Sequence, residues 1–174
     1  MTTRLVLETI QTPIGAMLLA ADAEGFLRAA DFVGCEARLD RLLIRRLGAG
    51  GYTVAPGAVP AAIPSAMRDY FAGEIAALER IAVKTDGTPF QQEVWRALRA
   101  VPPGAPLAYG GLATQLGRAQ SARAVGHANG ANPFCVVIPC HRLVGADGAL
   151  TGYSGGTDRK RWLLEHEARH ASRN

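Results

Sequence analysis

The chain has 174 residues, 48% of them hydrophobic and 20% charged, with a formal net charge of +4. A disordered chain is excluded by that composition, and a long coiled coil by 20 glycines and 10 prolines. No apolar run approaches the roughly 18 residues needed to cross a bilayer, so no membrane partner is expected.

The three cysteines, Cys35, Cys135 and Cys140, form no Cys-x-x-Cys pair, which argues against a disulfide framework or a four-ligand zinc site. Free thiols fit the cytoplasm. Glu8 and Gln11 precede the apolar run Ile14 to Ala21, where an export signal would carry positive charge. Residues 1–85 balance nine basic against nine acidic side chains, so the net charge belongs to residues 86–174. Between Glu93 and Asp147 there is no carboxylate, whereas Arg96, Arg99, Arg118, Arg123 and Arg142 lie inside. Such a stretch attracts anions, as a nucleic-acid surface does.

In chain order, Arg4 to Thr9, Ala16 to Ala21 and Phe26 to Phe32 read as a small antiparallel meander punctuated by turns. Glu36 to Leu47 places Leu39, Leu42, Leu43 and Leu47 at helical spacing. Gly48 to Pro60 reads as a loop with a short strand at Tyr52 to Val54, and a helix is expected from about Pro64 to Ala72. No catalytic arrangement is visible in 1–85, and Cys35 reads as a structural thiol. Lys84 to Gly87 is the expected linker, dividing the chain into domains 1–85 and 86–174.

Thr88-Pro89-Phe90-Gln91 is a helix start, with Thr as N-cap, Pro at the first position and Gln closing a capping box. Phe90, Val94, Leu98 and Val101 line one face of that helix, and Pro102-Pro103 stop it. Short helices follow from about Gly110 to Leu116 and from about Ala122 to Asn129, the second capped by Ser121. Two such helices joined by a tight turn fit a helix-turn-helix and fit equally an αα corner. The second, with Ala124 and Gly126, is small-sided enough to let its backbone approach another surface. Val136 to Ile138 reads as a strand, Leu143 to Thr151 as a hairpin wing, and a final helix starts at Thr157 or Asp158.

Chemistry concentrates at Pro139-Cys140-His141-Arg142. A nucleophilic cysteine needs a base or a positive charge nearby, and His141 and Arg142 are the right types. Adjacent residues seldom point the same way, so a water between thiol and imidazole is expected. His141 in turn needs an acceptor, for which Glu165 and Glu167 both qualify. On residue types alone, Cys140 is either reactive or a buried structural thiol.

This segment closely resembles the methylated-DNA–protein-cysteine methyltransferases, which repair O6-alkylguanine. The resemblance extends to Thr88–Trp95, Tyr109, Arg123–Gly126, Asn132-Pro133, Gly152–Gly156, Arg159-Lys160 and Leu163–Glu167 in order and spacing. It is dense over residues 86–168 and confined to the outline of strands and one helix before that. It implies an α/β (α+β) chain: a small ribonuclease-H-like domain of antiparallel sheet plus helix, followed by a winged helix-turn-helix-like domain.

The resemblance implies that Cys140 accepts the alkyl group irreversibly, that His141 takes the thiol proton through a water, and that Glu167 holds His141. Asn132 resembles the family's hinge and Arg123 the finger that fills the gap left by the flipped base. Tyr109 would crowd a phosphate and donate a proton to the leaving guanine. Tyr153 would wall the pocket, with Ser154 and Gly155 facing the base. Leu143 and Cys140 would offer carbonyls to the exocyclic amine, and Ala124 and Gly126 would lie against the minor groove. The expected partner is duplex DNA carrying O6-alkylguanine or O4-alkylthymine, bound by a monomer alone or cooperatively, with no cofactor.

The chain departs from the family pattern at Cys135, read as an inert wall thiol, and at Thr157, where a Leu is common. His127 is read either as a phosphate contact or as simply exposed, and His166 and His170 as solvent-facing. Residues 1–85 hold one Cys and no His, so the zinc ligands of some relatives are missing and no metal is expected. A non-catalytic damage-binding module would lack the nucleophile that Cys140 supplies. An unrelated cysteine hydrolase would instead turn over repeatedly.

Overall fold

A computed structural model describes residues 2–171. The chain forms two compact units, Met1–Asp86 with Pro133–Val137, and Gly87–Asn132 with Ile138–Asn174. The division after residue 86 lies within the expected linker. Sequence patterning did not reveal that residues 133–137 return to the first unit.

In the first unit, β1 (Thr3–Ile10), β2 (Met17–Asp22) and β3 (Leu27–Phe32) form the expected antiparallel meander. The helix α1 spans Glu36–Leu47, as its leucine spacing predicts, and leads to β4 (Tyr52–Pro56). The sheet order is β3-β2-β1-β4, with β4 parallel to β1. The antiparallel meander is thus extended by one parallel strand, because a helical crossover returns the chain in the direction that a tight hairpin cannot. Leu39 and Leu43 of α1 pack with Leu5, Leu18, Ala20 and Ala29 of the sheet. The helix α2 (Ala62–Phe71) and a 3₁₀ turn (Ile75–Arg80) complete this part of the unit.

The outer edge of β3 is occupied at both ends. Leu27 donates to the Ala82 carbonyl at 2.9 Å and accepts from Lys84 at 3.1 Å. Ala30 donates to Pro133 at 2.7 Å and accepts from Cys135 at 2.9 Å. A fully buried Asp31 anchors that return, its Oδ2 2.6 Å from Arg38 and its Oδ1 accepting from the Phe32 amide. Cys135 donates its thiol to the same carboxylate at 3.4 Å, a hydrogen bond within this unit that the sequence did not suggest.

In the second unit, α3 (Pro89–Ala100) opens with the capping box that the sequence spells. Gln91 N donates to Thr88 Oγ1 at 3.2 Å, and Thr88 N to Gln91 Oε1 at 3.0 Å. After β5 (Leu107–Ala108), α4 (Tyr109–Gln115) and α5 (Ala122–Gly130) form the paired short helices. Ser121 makes no side-chain cap on α5. A 3₁₀ turn over Ala119–Ser121 runs straight into that helix, so Ser121 is not in the extended conformation that a capping hydroxyl needs.

The expected strand at residues 136–138 is a pair of tight turns instead. Val136 has φ +72°, and Val137 donates to the Cys135 carbonyl at 2.9 Å. Pro139 has φ −79° and ψ 66°, and Cys140 donates to Ile138 at 2.7 Å, an inverse γ-turn. The wing is also corrected. Leu143–Val144 (β6) pairs in parallel with β5, and Ala149 closes only a turn on Gly145, leaving residues 149–151 outside any ladder. Finally, α6 covers Thr157–Ala171. Among the described residues no helix is long and apolar enough to cross a membrane.

The capping box gives the first testable consequence. Thr88→Ala should lower the unfolding free energy by about 1 kcal/mol in urea titrations, while Thr88→Ser, which keeps the hydroxyl, should leave it nearly unchanged.

Candidate active site

The site is assembled inside the second unit from the 3₁₀ turn Cys140–Arg142, the end of α5, the start of α4 and one face of α6. The Pro139 turn fixes the direction in which the chain enters Cys140. The nucleophile candidate is buried, with only 5% of its surface exposed. Behind it, His141 is fully buried and its Nε2 lies 2.8 Å from Glu167 Oε1. Glu165, the alternative left open by spacing, is exposed on the other side of α6.

Glu167 is shared. Arg142 Nε donates to its Oε2 at 2.8 Å and Nη2 to its Oε1 at 3.0 Å, while Nη1 donates to the Val101 carbonyl at 2.6 Å. Residue types suggested Arg142 as a cation for the thiol, but the guanidinium is committed to Glu167 and to the end of α3. Burial pushes the Glu167 carboxyl upward, yet His141 and Arg142 outweigh it and hold the group well below the usual carboxylate range. The carboxylate thus keeps its charge and fixes Nε2 of His141 as the protonated nitrogen. Nδ1 of His141 is buried and has no hydrogen-bond partner among the described residues. The imidazole therefore makes no direct hydrogen bond to the thiol and presents an acceptor nitrogen, as the sequence analysis expected.

Two asparagines tie the end of α5 to the acceptor turn. Asn132 is fully buried and donates to the Ile138 carbonyl at 2.9 Å. Asn129, which sequence analysis did not single out, donates to the Cys140 carbonyl at 3.4 Å. The helix itself is held to α3 by Trp95, whose Nε1 donates to the Ala128 carbonyl at 2.8 Å.

Tyr109 and Lys160 meet at the Thr151 carbonyl, and Tyr153 lies against His141. Tyr109 Oη donates to the Thr151 carbonyl at 3.4 Å, and burial raises the phenol pKa, so it stays protonated at neutral pH. Tyr153 is buried, its ring edge-on to His141 at 6.4 Å between centroids. Lys160 is fully buried, donates to the Thr151 carbonyl at 2.8 Å and lies 6.0 Å from the Tyr109 ring centroid. Burial lowers its ammonium pKa, and the nearby Cys140 acts in the opposite direction. The sequence signal for Lys160 was its place in the matched Arg159-Lys160 pair, which did not reveal its burial.

Ser154 is exposed, Gly155 is half-buried and accepts from Arg159 at 3.1 Å, and Leu143 is fully buried. On α5, Arg123, Ala124 and His127 face outward, while Val125, Ala128 and Asn129 face inward. A side chain at Gly126 would meet only Tyr109, at an ordinary 3.8 Å, so the interior does not demand glycine there. Arg118 pairs with Glu93 at 3.0 Å and lies over the Phe90 ring, whereas Arg96, Arg99 and Arg123 are exposed. The expectation of a solvent-facing His166 is corrected. It is 3% exposed because its ring stacks on Trp162 at 4.7 Å, a contact made by the i,i+4 spacing on α6. His170 is half-buried and bonds through Nδ1 to the His166 carbonyl at 2.8 Å.

The carboxylate gives a signed pH prediction. Its folded pKa lies below the ordinary 4.5. Its stabilisation is therefore complete above that value and is lost as the pH falls below it. Glu167→Gln, which strands Arg142, should cost about 3–5 kcal/mol at neutral pH. The gap from the parent protein should narrow in denaturant titrations run below the ordinary carboxylate pKa.

Comparison with known proteins places this geometry. Residues 89–169 match the 6-O-methylguanine DNA methyltransferase, DNA binding domain family. The methylated-DNA–protein-cysteine methyltransferase of Salmonella typhimurium is 47% identical, over 94% of this chain and 96% of the relative. The protein of that name from Methanosarcina acetivorans is 36% identical, over 90% of this chain and 94% of its own. Among solved structures, Mycobacterium tuberculosis OGT in complex with DNA superposes with TM-score 0.74 at 36% identity, covering 96% of this chain and 94% of that one. The O6-methylguanine-DNA methyltransferase from Pyrococcus kodakaraensis superposes with TM-score 0.71 at 28% identity, covering 94% and 98%. With nearly the whole length of both chains aligned at such identity, this protein is a member of the methylated-DNA–protein-cysteine methyltransferase family.

Proposed function

We propose that the protein repairs DNA by moving the alkyl group of O6-alkylguanine onto Cys140, once per molecule. The observation that carries this reading is the buried Arg142–Glu167–His141 array. It leaves an acceptor nitrogen, Nδ1, on the residue next to a buried thiol.

The chemistry balances in one displacement. His141 Nδ1 takes the thiol proton through a water, and the thiolate attacks the saturated alkyl carbon. The S–C bond forms as the C–O6 bond breaks, and the guanine leaves with the bonding pair. Tyr109, protonated in its half-buried position, supplies the proton that restores neutral guanine. Sulfur suits this step because a soft nucleophile displaces well at saturated carbon. The resulting thioether has no facile leaving reaction, so the protein does not turn over. A thiol acceptor must stay reduced, which fits Cys35, Cys135 and Cys140 outside any disulfide and a cytoplasmic site of action.

The reactive carbon is inaccessible inside a duplex, so the nucleotide must leave the stack. The second unit is the DNA-binding and alkyl-acceptor domain. The outward face of α5, with Ala124, Gly126 and His127, lies along the minor groove, and Arg123 occupies the space vacated by the base. Contacts to the backbone without base reading suit a protein that must find lesions in any sequence. Asn132 holds α5 to the turn before Cys140, so docking of the helix also places the nucleophile.

Intact-protein mass measured before and after incubation with a methylated duplex should rise by one methyl group, with the modified peptide containing Cys140. Cys140→Ser should abolish the adduct without changing DNA affinity. An adduct on another residue, or steady release of methylated product, would reject the reading. Arg123→Ala should slow repair of the duplex by about tenfold or more, a loss of order 1–3 kcal/mol. It should leave reaction with the free base O6-methylguanine unchanged, and parallel losses in both assays would contradict the finger role.

A further inference from the structure

Asn129 is an unusual residue to bury near the end of a short helix. Its amide competes with the backbone for hydrogen bonds and lowers helix propensity. It is only 4% exposed, and half of its hydrogen-bonding capacity is unused. Its neighbours settle which half. The group facing the Cys140 carbonyl must be the donor, because two carbonyl oxygens would repel, and Nδ2 donates there at 3.4 Å. The amide nitrogen is thus engaged by the acceptor turn. Oδ1 is buried with no partner among the described residues. A buried acceptor without a donor is costly and calls for an explanation.

The substrate proposed above offers a match. Alkylation at O6 removes the proton from N1 of guanine, so the exocyclic amine at C2 is the only donor left on the Watson–Crick edge. O4-alkylated thymine has no donor on the corresponding edge. We propose that Asn129 is a specificity-determining residue of the base pocket. Its Nδ2 engages the Cys140 carbonyl, which the family resemblance offered to the base, and its Oδ1 accepts one hydrogen of the exocyclic amine of the extruded purine in that carbonyl's stead. The inference rests on the alkyl-transfer reading and adds to it the reason for preferring guanine over bases without that amine.

The test uses single-turnover alkyl transfer by the full-length protein on two duplexes that differ in one group, O6-methylguanine and O6-methylhypoxanthine, which lacks the amine. The parent protein should react about threefold to tenfold faster with the amine-bearing base, the range of one ordinary hydrogen bond. Asn129→Leu, of similar size and better helix propensity, should bring the ratio towards one. It should do so chiefly by slowing the guanine duplex, with melting temperature confirming a folded variant. A parent ratio near one overturns the proposal without recourse to any variant. An unchanged ratio in folded Asn129→Leu overturns it too. Absence of a Cys140 adduct on either duplex would instead overturn the alkyl-transfer reading itself, so the two failures are distinguishable.

Discussion

One buried carboxylate organises the chemistry of this protein. Glu167 is fully buried and would be intolerable there unpaired, since a lone carboxylate in a protein interior neutralises itself by taking up a proton. Arg142 prevents that with a two-bond fork, and the third arm of the guanidinium is fixed on the carbonyl that ends α3. With the charge compensated, the remaining capacity of Glu167 Oε1 orients His141 and sets its tautomer. A carboxylate without Arg142 would be an unreliable acceptor, and a histidine without Glu167 would have no defined ring orientation. The reactivity assigned to Cys140 thus depends on an ion pair that does not touch the substrate.

The second constraint is the approach of the chain to that thiol. Two three-residue turns in succession, centred on Val136 and Pro139, replace regular structure just before Cys140. Val136 at φ +72° is a β-branched residue in a conformation that costs of order 1–3 kcal/mol. The surroundings over-determine it: Cys135 is bonded to Ala30 and Asp31 on one side, and Ile138 to Asn132 on the other. Backbone and side-chain bonds together thus set the course of the chain into Cys140.

How far the sequence disclosed this follows from the range of the signals. The capping box at Thr88–Gln91 and the leucine spacing of α1 are local and strong, and the helices lie where those residues put them. Val136-Val137-Ile138 misled because a short apolar run reports burial, not extension, and turns bury such residues equally well. The parallel placement of β4 depends on a crossover that no local pattern encodes. Within the site, Pro-Cys-His-Arg marked the reactive turn, but Glu165 and Glu167 differ by two residues. Spacing left both open and the family resemblance favoured Glu167; their positions around α6, one exposed and one facing His141, separate them physically. Asn129 escaped notice, and the matched Arg159-Lys160 pair did not reveal the burial of Lys160, for the same reason. A polar residue on a helix looks solvated until the fold brings a carbonyl such as that of Cys140 or Thr151 against it.

The helix α5 is where these constraints meet. Its outward residues, Arg123, Ala124 and His127, make no demands on the interior, and its inward residues carry none of the surface charge. A helix this short has little stability of its own. Trp95 grips the Ala128 carbonyl, Asn129 reaches the Cys140 carbonyl, and Asn132 holds the next turn. Each bond fixes a different part of the acceptor region relative to the same helix. The elements that position the thiol are therefore bonded to the buried face and the end of a helix whose other face is exposed. That placement explains why the polar residues at the end of α5 are buried although its exposed face is where polar residues would cost least.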